Sequence, residues 1–380
     1  MAASVNGEAF LVRADGARVT LVSAEGPQAW VGAPVVRGPF VLVGTTRRVD
    51  GQLQSALHLF DSSGARLGTL EGAAAGELSA DGVVSAAAST GLVLLGPDGS
   101  VFREPGLHAA GAFGGRSLLP VAIGESGRQL GIFDARTHQL TPLGDELTSG
   151  SSPVWSGEVL VYLAQRGERV ALVRHHAGLT LATPLVGRVA GAWVEQVTDT
   201  DAILVTGFWV QSRSRVNLAT GEVTPFEIEL PEAHVAAGQA SASFAEDGTL
   251  VMALAKDDVA GLFGSRDGKH WEPLGEGVPG ASWVQFAGRN GTWLLSAAGP
   301  LGWASSTTVA VMPALRRAVE LPSMVNAVPN AESVSADGRC AAVWTGSGTG
   351  FSLVTVDLLT ATQRTLVTST ARPSSVAWLE

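Results

Sequence analysis

The amino-acid sequence predicts an all-β fold: a single β-propeller of four-stranded blades, eight or nine in number. Three observations predict it. A strand–turn–strand unit recurs along the chain, tryptophans keep the same spacing, and glycine is abundant, at 47 of 380 residues. Glycine enters tight turns at little steric cost, so its frequency implies many short elements joined by many turns. No stretch places apolar residues convincingly at the 3.6-residue spacing of an amphipathic helix.

The unit is clearest near the end of the chain. "LVTVDLLTATQRTL", from Leu353, is an alternating strand, an Asp-led turn and a second alternating strand. The same shape appears as "FLVRADGARVTLV" from Phe10, "LHLFDSSGARLGTL" from Leu57, "LVLLGPDGSVFRE" from Leu92 and "LGIFDARTHQLTPL" from Leu130. It continues as "LVRHHAGLTLATPL" from Leu172, "SRVNLATGEVTPF" from Ser214 and "LFGSRDGKHWEPL" from Leu262. Successive starts lie roughly 35 to 50 residues apart, the period of propeller blades. The last gap, Leu262 to Leu353, is 91 residues, so one degenerate copy is expected within it, around "WASSTTVAVMPALRRAVEL".

The tryptophans mark the same period. Trp30, Trp155, Trp193, Trp283 and Trp378 follow small residues where a blade's first strand should begin, at intervals of 125, 38, 90 and 95 residues. Each ring is expected to bury itself between neighbouring sheets. The ends complete the pattern. The N-terminal hairpin, residues 8–24, lacks an inner strand, and "RPSSVAWLE" offers one over 374–380 without a hairpin. The two are expected to share a composite blade, so that residues 1–380 form one domain closed by pairing of its N- and C-terminal strands. Such closure removes sheet edges that would template aggregation.

Composition narrows the function. Charged residues make up 16% of the chain, hydrophobic ones 46%, and the formal net charge is -10. An acidic surface repels phosphate backbones, which argues against a nucleic-acid partner. No run approaches 18 apolar residues, so no membrane insertion is expected. The start lacks a basic segment followed by an apolar one, which predicts a cytoplasmic protein, or a periplasmic or secreted one if a leader has been removed. The single cysteine, Cys340, allows neither an intrachain disulfide nor a Cys-rich metal site.

The stretch from Ser335 resembles the repeat of TolB-type propellers and of the propeller domains of prolyl-oligopeptidase-like peptidases. Ser335, Asp337, Gly338, Arg339, Asp357, Arg364, Leu366 and Thr368 fit that pattern, and "PSSVAW" opens the next unit. Ala336 stands where the pattern has Pro, and Val334 where it has Trp. The resemblance covers about the last 45 residues, with an echo in "LSADGVV" from Leu78. It implies a propeller. It does not imply peptidase activity, because no Gly-x-Ser-x-Gly stands in a strand–helix context. "SRDGKHW", Ser265 to Trp271, resembles the Asp-box turn of sialidase-type propellers, which is structural even there. A sialidase also needs a tyrosine nucleophile, and the one tyrosine, Tyr162 in "EVLVYLAQ", has the alternation of a strand interior.

Candidate sites are few. Adjacent His175 and His176 point to opposite faces of a strand, which suits an exposed hairpin better than a shared metal. Glu227, Glu229, Glu232 and His234 read as a solvated edge, and Asp199 with Asp201 as a turn that lacks the rest of a calcium loop. "WTGSGTG", Trp344 to Gly350, lacks both the following helix and the lysine of a phosphate loop. Cys340 is expected to pack as a small hydrophobe. Trp209, Arg213 and Arg215 in "TGFWVQSRSR" are of types enriched at interaction surfaces, and they are the binding candidates. The expected function is a non-catalytic scaffold that binds a protein or peptide, without metal or cofactor. The alternatives are a propeller enzyme acting on a glycan or lactone, and a structural component of a larger assembly.

Overall fold

Apolar runs become middle strands of antiparallel sheets, buried on both faces. Gly91–Leu95 (GLVLL) is buried at every position, and Asp201–Thr206 is buried up to its last residue. This is why these runs do not alternate cleanly in sequence: the side chains of each strand serve two neighbouring cores. The computed structural model describes residues 1–380 apart from 6, 25–28, 89–90, 115–116, 125–127, 149–151, 167–168, 186–191, 207–211, 227–241, 246, 257–258, 276–277, 280–282, 290, 300–301, 323–330, 348–349 and 380. Among the described residues the only helical pieces are two 3₁₀ turns, Pro313–Leu315 and Ala331–Ser333, and no helix is long and apolar enough to cross a membrane.

The first sheet runs Arg18–Ser23, Glu8–Val12, Ala2–Val5 and Pro373–Ala377, so its strands come from both ends of the chain. Ala2 stands opposite both Leu11 and Ala377. The N-terminal hairpin therefore does not meet the C-terminal strand directly. The short apolar strand AASV, buried throughout, lies between them. In the second sheet Phe40–Val49, Gln52–Asp61 and Arg66–Glu71 form the meander, and two short strands, Ala29–Val31 and Val35–Arg37, share the inner edge. The third sheet is Gly76–Leu78, Val84–Ala88, Gly91–Leu95 and Val101–Pro105.

The next two meanders form one eight-stranded sheet. Leu107–Ala109, Leu118–Ile123, Gln129–Asp134 and Gln139–Leu147 continue into Val159–Arg166, Arg169–His176 and Leu179–Pro184, with Val154–Ser156 also on Val159–Arg166. The joint is made by Glu146 opposite Gln165 and Leu147 opposite Ala164. Four-stranded meanders follow at 193–225 and 283–320, with a five-stranded sheet between them at 242–279. The last sheet has three strands, Cys340–Ser347, Gly350–Asp357 and Gln363–Ser369, and the bridge Val334 to Ala341 flanks it. Gly302–Met312 and Arg317–Glu320, turned by the 3₁₀ piece, form the hairpin in the region of the degenerate copy.

Apolar clusters join each sheet to the next. Leu11, Leu21 and Val22 of the first sheet pack on Val41, Val43 and Phe60 of the second. Leu42, Leu57 and Leu59, facing the other way, pack on Leu78, Val84 and Leu95 of the third. Within the eight-stranded sheet Leu130 and Ile132 meet Leu160 and Tyr162. The series runs on to a cluster in which Ala342, Trp344, Phe351 and Leu353 of the last sheet pack on Ala3, Val5, Phe10 and Val12 of the first. Burying a side chain of this size contributes about 1.5–3 kcal/mol. Successive four-stranded meanders packed face to face are the architecture of a β-propeller.

The tryptophans divide. Trp344 is buried, Trp155 and Trp193 are half-buried, and Trp378 donates its Nε1 hydrogen to the Ser333 carbonyl at 2.8 Å. Trp30, expected between sheets, is 52% exposed. The reason is local. Ala29–Val31 pairs with Thr45–Arg47, an extension of the second sheet, while Val35–Arg37 takes the inner edge at Phe40–Leu42.

Candidate functional site

Arg213 and Arg215 project from one face of the strand Ser212–Asn217, two residues apart. Each is held by a carboxylate of its own sheet. Arg213 donates from Nε and Nη2 to Glu195 at 2.8 and 2.9 Å, and its side chain is 8% exposed. Arg215 donates from Nε and Nη2 to the two oxygens of Asp201, both at 2.8 Å, and from Nη1 to the Arg266 carbonyl. Its side chain keeps 26% exposure. Asp201 opens the next strand inward and is buried. Burial alone would raise its pKa, but hydrogen bonds from Arg215 and Thr200, with the guanidinium charge, hold it below the usual aspartate range. Trp209 lies outside the described residues, as do Glu227, Glu229, Glu232 and His234.

His175 and His176 do face opposite ways, but only His176 is exposed. His176 faces Glu158 at 3.6 Å, whereas His175 is buried and shares a hydrogen bond with Thr180 at 2.9 Å. The expected exposed hairpin is thus half corrected: the strand Arg169–His176 extends one residue past His175, and its inner face takes the ring. Burial, with His176 beside it, pushes the pKa of His175 down. Tyr162 is fully buried and donates to Asp145 at 2.8 Å. Burial also pushes the Cys340 thiol up, with Asp357 and Asp337 adding to it, so the sulfur is a poor thiolate. Among the described residues no three His, Cys, Asp or Glu side chains gather as a metal site.

The two resemblances share one turn chemistry. At 335–340 Ser335 Oγ donates to Asp337 at 2.6 Å and accepts from the Cys340 N–H at 2.9 Å. At 265–271 Ser265 Oγ donates to Asp267 at 3.1 Å and accepts from the Gly268 N–H at 2.9 Å. Trp271 then folds back, its Nε1 hydrogen on the Gly268 carbonyl and its ring edge-on to Phe226. Both turns close a hairpin.

A feature that sequence reasoning passed over lies on an outer strand. Arg18–Ser23, Arg66–Glu71, Val101–Pro105, Arg317–Glu320 and Gln363–Ser369 each carry a charge, the usual guard on a sheet edge. Leu179–Pro184 (LTLATP) carries none; Val223–Pro225 (VTP) also lacks one, but it is half as long and holds no leucine. Leu179 and Leu181, on the same side of it, are 74% and 60% exposed. The strand ends the eight-stranded sheet, so its outer backbone groups have no strand partner among the described residues. The signal in the sequence is the missing charge, which a search for chemical motifs does not register.

No family model matches the chain, and no curated protein does. Among solved structures it is similar to the β-propeller domain of the trilobed protease from Pyrococcus furiosus, at 12% identity and a TM-score of 0.46. That likeness covers 78% of this chain and 96% of that one. It is similar also to prolyl endopeptidases, at 15% identity and a TM-score of 0.48 over 94% of this chain. There the chain spans only 54% of the other's length. TolB from Acinetobacter baumannii is a third, at 11% identity and a TM-score of 0.34, covering 89% and 81% of the two chains. The solved structures it is similar to also include a dihydro-heme d1 dehydrogenase, NirN, at 14% identity and a TM-score of 0.49 over 84% of this chain and 72% of that one.

Proposed function

We propose that this chain is a non-catalytic, nine-bladed propeller, one domain over 1–380, that binds an extended peptide segment of a protein partner. The ring is supported by the pairing of Ala2–Val5 with Pro373–Ala377 and by the cluster joining the last sheet to the first. The eight-stranded sheet counts as two blades in this reading.

The observation that carries the binding function is the uncharged outer strand Leu179–Pro184. An edge that presents free N–H and C=O groups between two exposed leucines suits a peptide added as a further strand, with its own apolar side chains beside Leu179 and Leu181. Pro184 limits the addition to the strand's first part, because it offers no N–H. Arg215, a quarter exposed, enters as a peripheral contact, and Arg213 as a brace for its strand.

A displayed library of random heptapeptides, panned on the full chain, tests the reading. Enrichment of β-prone sequences that lose binding to Leu181→Lys is the expected result. No enrichment, or peptides indifferent to that change, overturns it. So does light scattering that finds the edge already covered by a second copy of the chain.

A further inference from the structure

The first sheet leaves part of the second uncovered. Phe40–Val49 and Gln52–Asp61 are ten residues each and pair along their whole length, whereas the first sheet's strands have four to six. On the face toward the first sheet, Val41, Val43 and Phe60 are buried against Leu11, Leu21 and Val22. Two residues further along the same strand the alternation continues, but the residues change character to Thr45 and then Arg47, with His58, opposite Val43, reaching Thr45 from the neighbouring strand. The change comes where the first sheet ends, at Val22 to Ala24. A cleft of about 310 Å³ opens there, with those residues on one side and Arg47, His58, Arg66 and Glu71 on the other.

The cleft is chemically specific. Among the described residues neither Arg47 nor Arg66 forms an ion pair, although the chain carries ten more acidic than basic groups. The Arg66 guanidinium carbon lies 5.5 Å from the centre of the Phe60 ring, a contact that leaves its N–H groups available. His58 is held from both nitrogens, by Thr45 at 2.9 Å and Thr69 at 3.2 Å. Glu71 is the one carboxylate among the described residues of the lining. Two unengaged planar forks beside a fixed imidazole favour a planar anion. A carboxylate opposite them favours a ligand that also carries a donor.

We propose that this cleft binds a small organic carboxylate bearing a hydroxyl or amine, with Arg47 and Arg66 on the carboxylate and Glu71 on the donor. The proposal is independent of the peptide edge, since no residue of Leu179–Pro184 lines the cleft.

Calorimetry with acetate, lactate, serine and inorganic phosphate as probes tests it on the full chain. Lactate or serine should bind more tightly than acetate, and acetate more tightly than phosphate. Arg47→Ala with Arg66→Ala, both at exposed positions, should weaken the best probe by about tenfold or more while leaving the melting temperature unchanged. Glu71→Gln should remove the advantage of lactate or serine over acetate. Absence of heat with every carboxylate, phosphate as the preferred probe, or equal binding by the double variant each overturns the proposal. Phenylglyoxal protection offers a readout apart from affinity: the bound carboxylate should slow modification of Arg47 and Arg66 but not of Arg48, and equal rates would also overturn it.

Discussion

Asp201 grips Arg215 with both carboxylate oxygens, and Thr200 adds a third hydrogen bond at 2.7 Å. The pair links two adjacent strands of one sheet, and Arg215 reaches on to the Arg266 carbonyl of the following sheet. It serves the fold first.

Arg215→Ala should therefore destabilise the protein by about 3 kcal/mol, because it strands a buried carboxylate. The double variant with Asp201→Ala should lose less than the two single losses combined. Urea midpoints measure both. The pH dependence follows from the depressed pKa of Asp201. Its stabilisation is complete above the unfolded aspartate range and is lost as pH falls through the lower native value. The stability gap between wild type and Asp201→Asn should accordingly shrink on acidification.

Trp344 is the anchor between the last sheet and the first. It is buried, stands edge-on to Phe10 at 6.4 Å, and donates to the Ser375 carbonyl at 3.1 Å. Trp344→Ala should cost about 3–5 kcal/mol. Trp344→Phe should keep most of the packing and lose about 1 kcal/mol for the hydrogen bond. Thermal unfolding separates the two.

Gly114 lies under the ring of Trp155. A Cβ there would stand 2.0 Å from the indole, so Gly114→Ala must displace the ring. A loss of about 1–3 kcal/mol is expected, with a change in Trp155 emission. Trp155→Leu should relieve much of the added cost of Gly114→Ala, a coupling that a double-mutant cycle reads directly.

Leu179 and Leu181 should behave in the opposite way. Both are exposed, so Leu181→Lys should alter stability by no more than about 0.5 kcal/mol. An effect confined to peptide binding, with unchanged melting, is the expected outcome of calorimetry and thermal scans together.

The rhythm of the strands was legible because alternation and turn chemistry are local. Asp61, Asp98, Asp134 and Asp357 each accept hydrogen bonds from backbone N–H groups of their own turns, as the Asp- and Gly-rich turns of the repeat suggested. What stayed hidden depends on partners distant in sequence. Nothing around Trp30 reveals that a second short strand, Val35–Arg37, takes the inner edge. Glu332 sits near Arg37 at 3.8 Å, and burial raises its pKa despite Arg37 and Arg289, yet almost three hundred residues separate the ion pair. The arginines at 213 and 215 stood out by composition, but their carboxylates are set by register alone. The open edge at 179–184 is visible only by comparison with the other outer strands.

The joint at Glu146–Leu147 gives the molecule one seam fewer than its meanders would suggest. A strand ladder there crosses from one meander to the next, whereas among the described residues the other neighbouring sheets share no ladder and meet mainly through side chains. Amide protons on either side should exchange as a single cooperative unit, and opening should begin elsewhere around the molecule. The strand Leu179–Pro184 lies at the far edge of that joined sheet, so its amide protection should rise and fall with that of Gln139–Leu147.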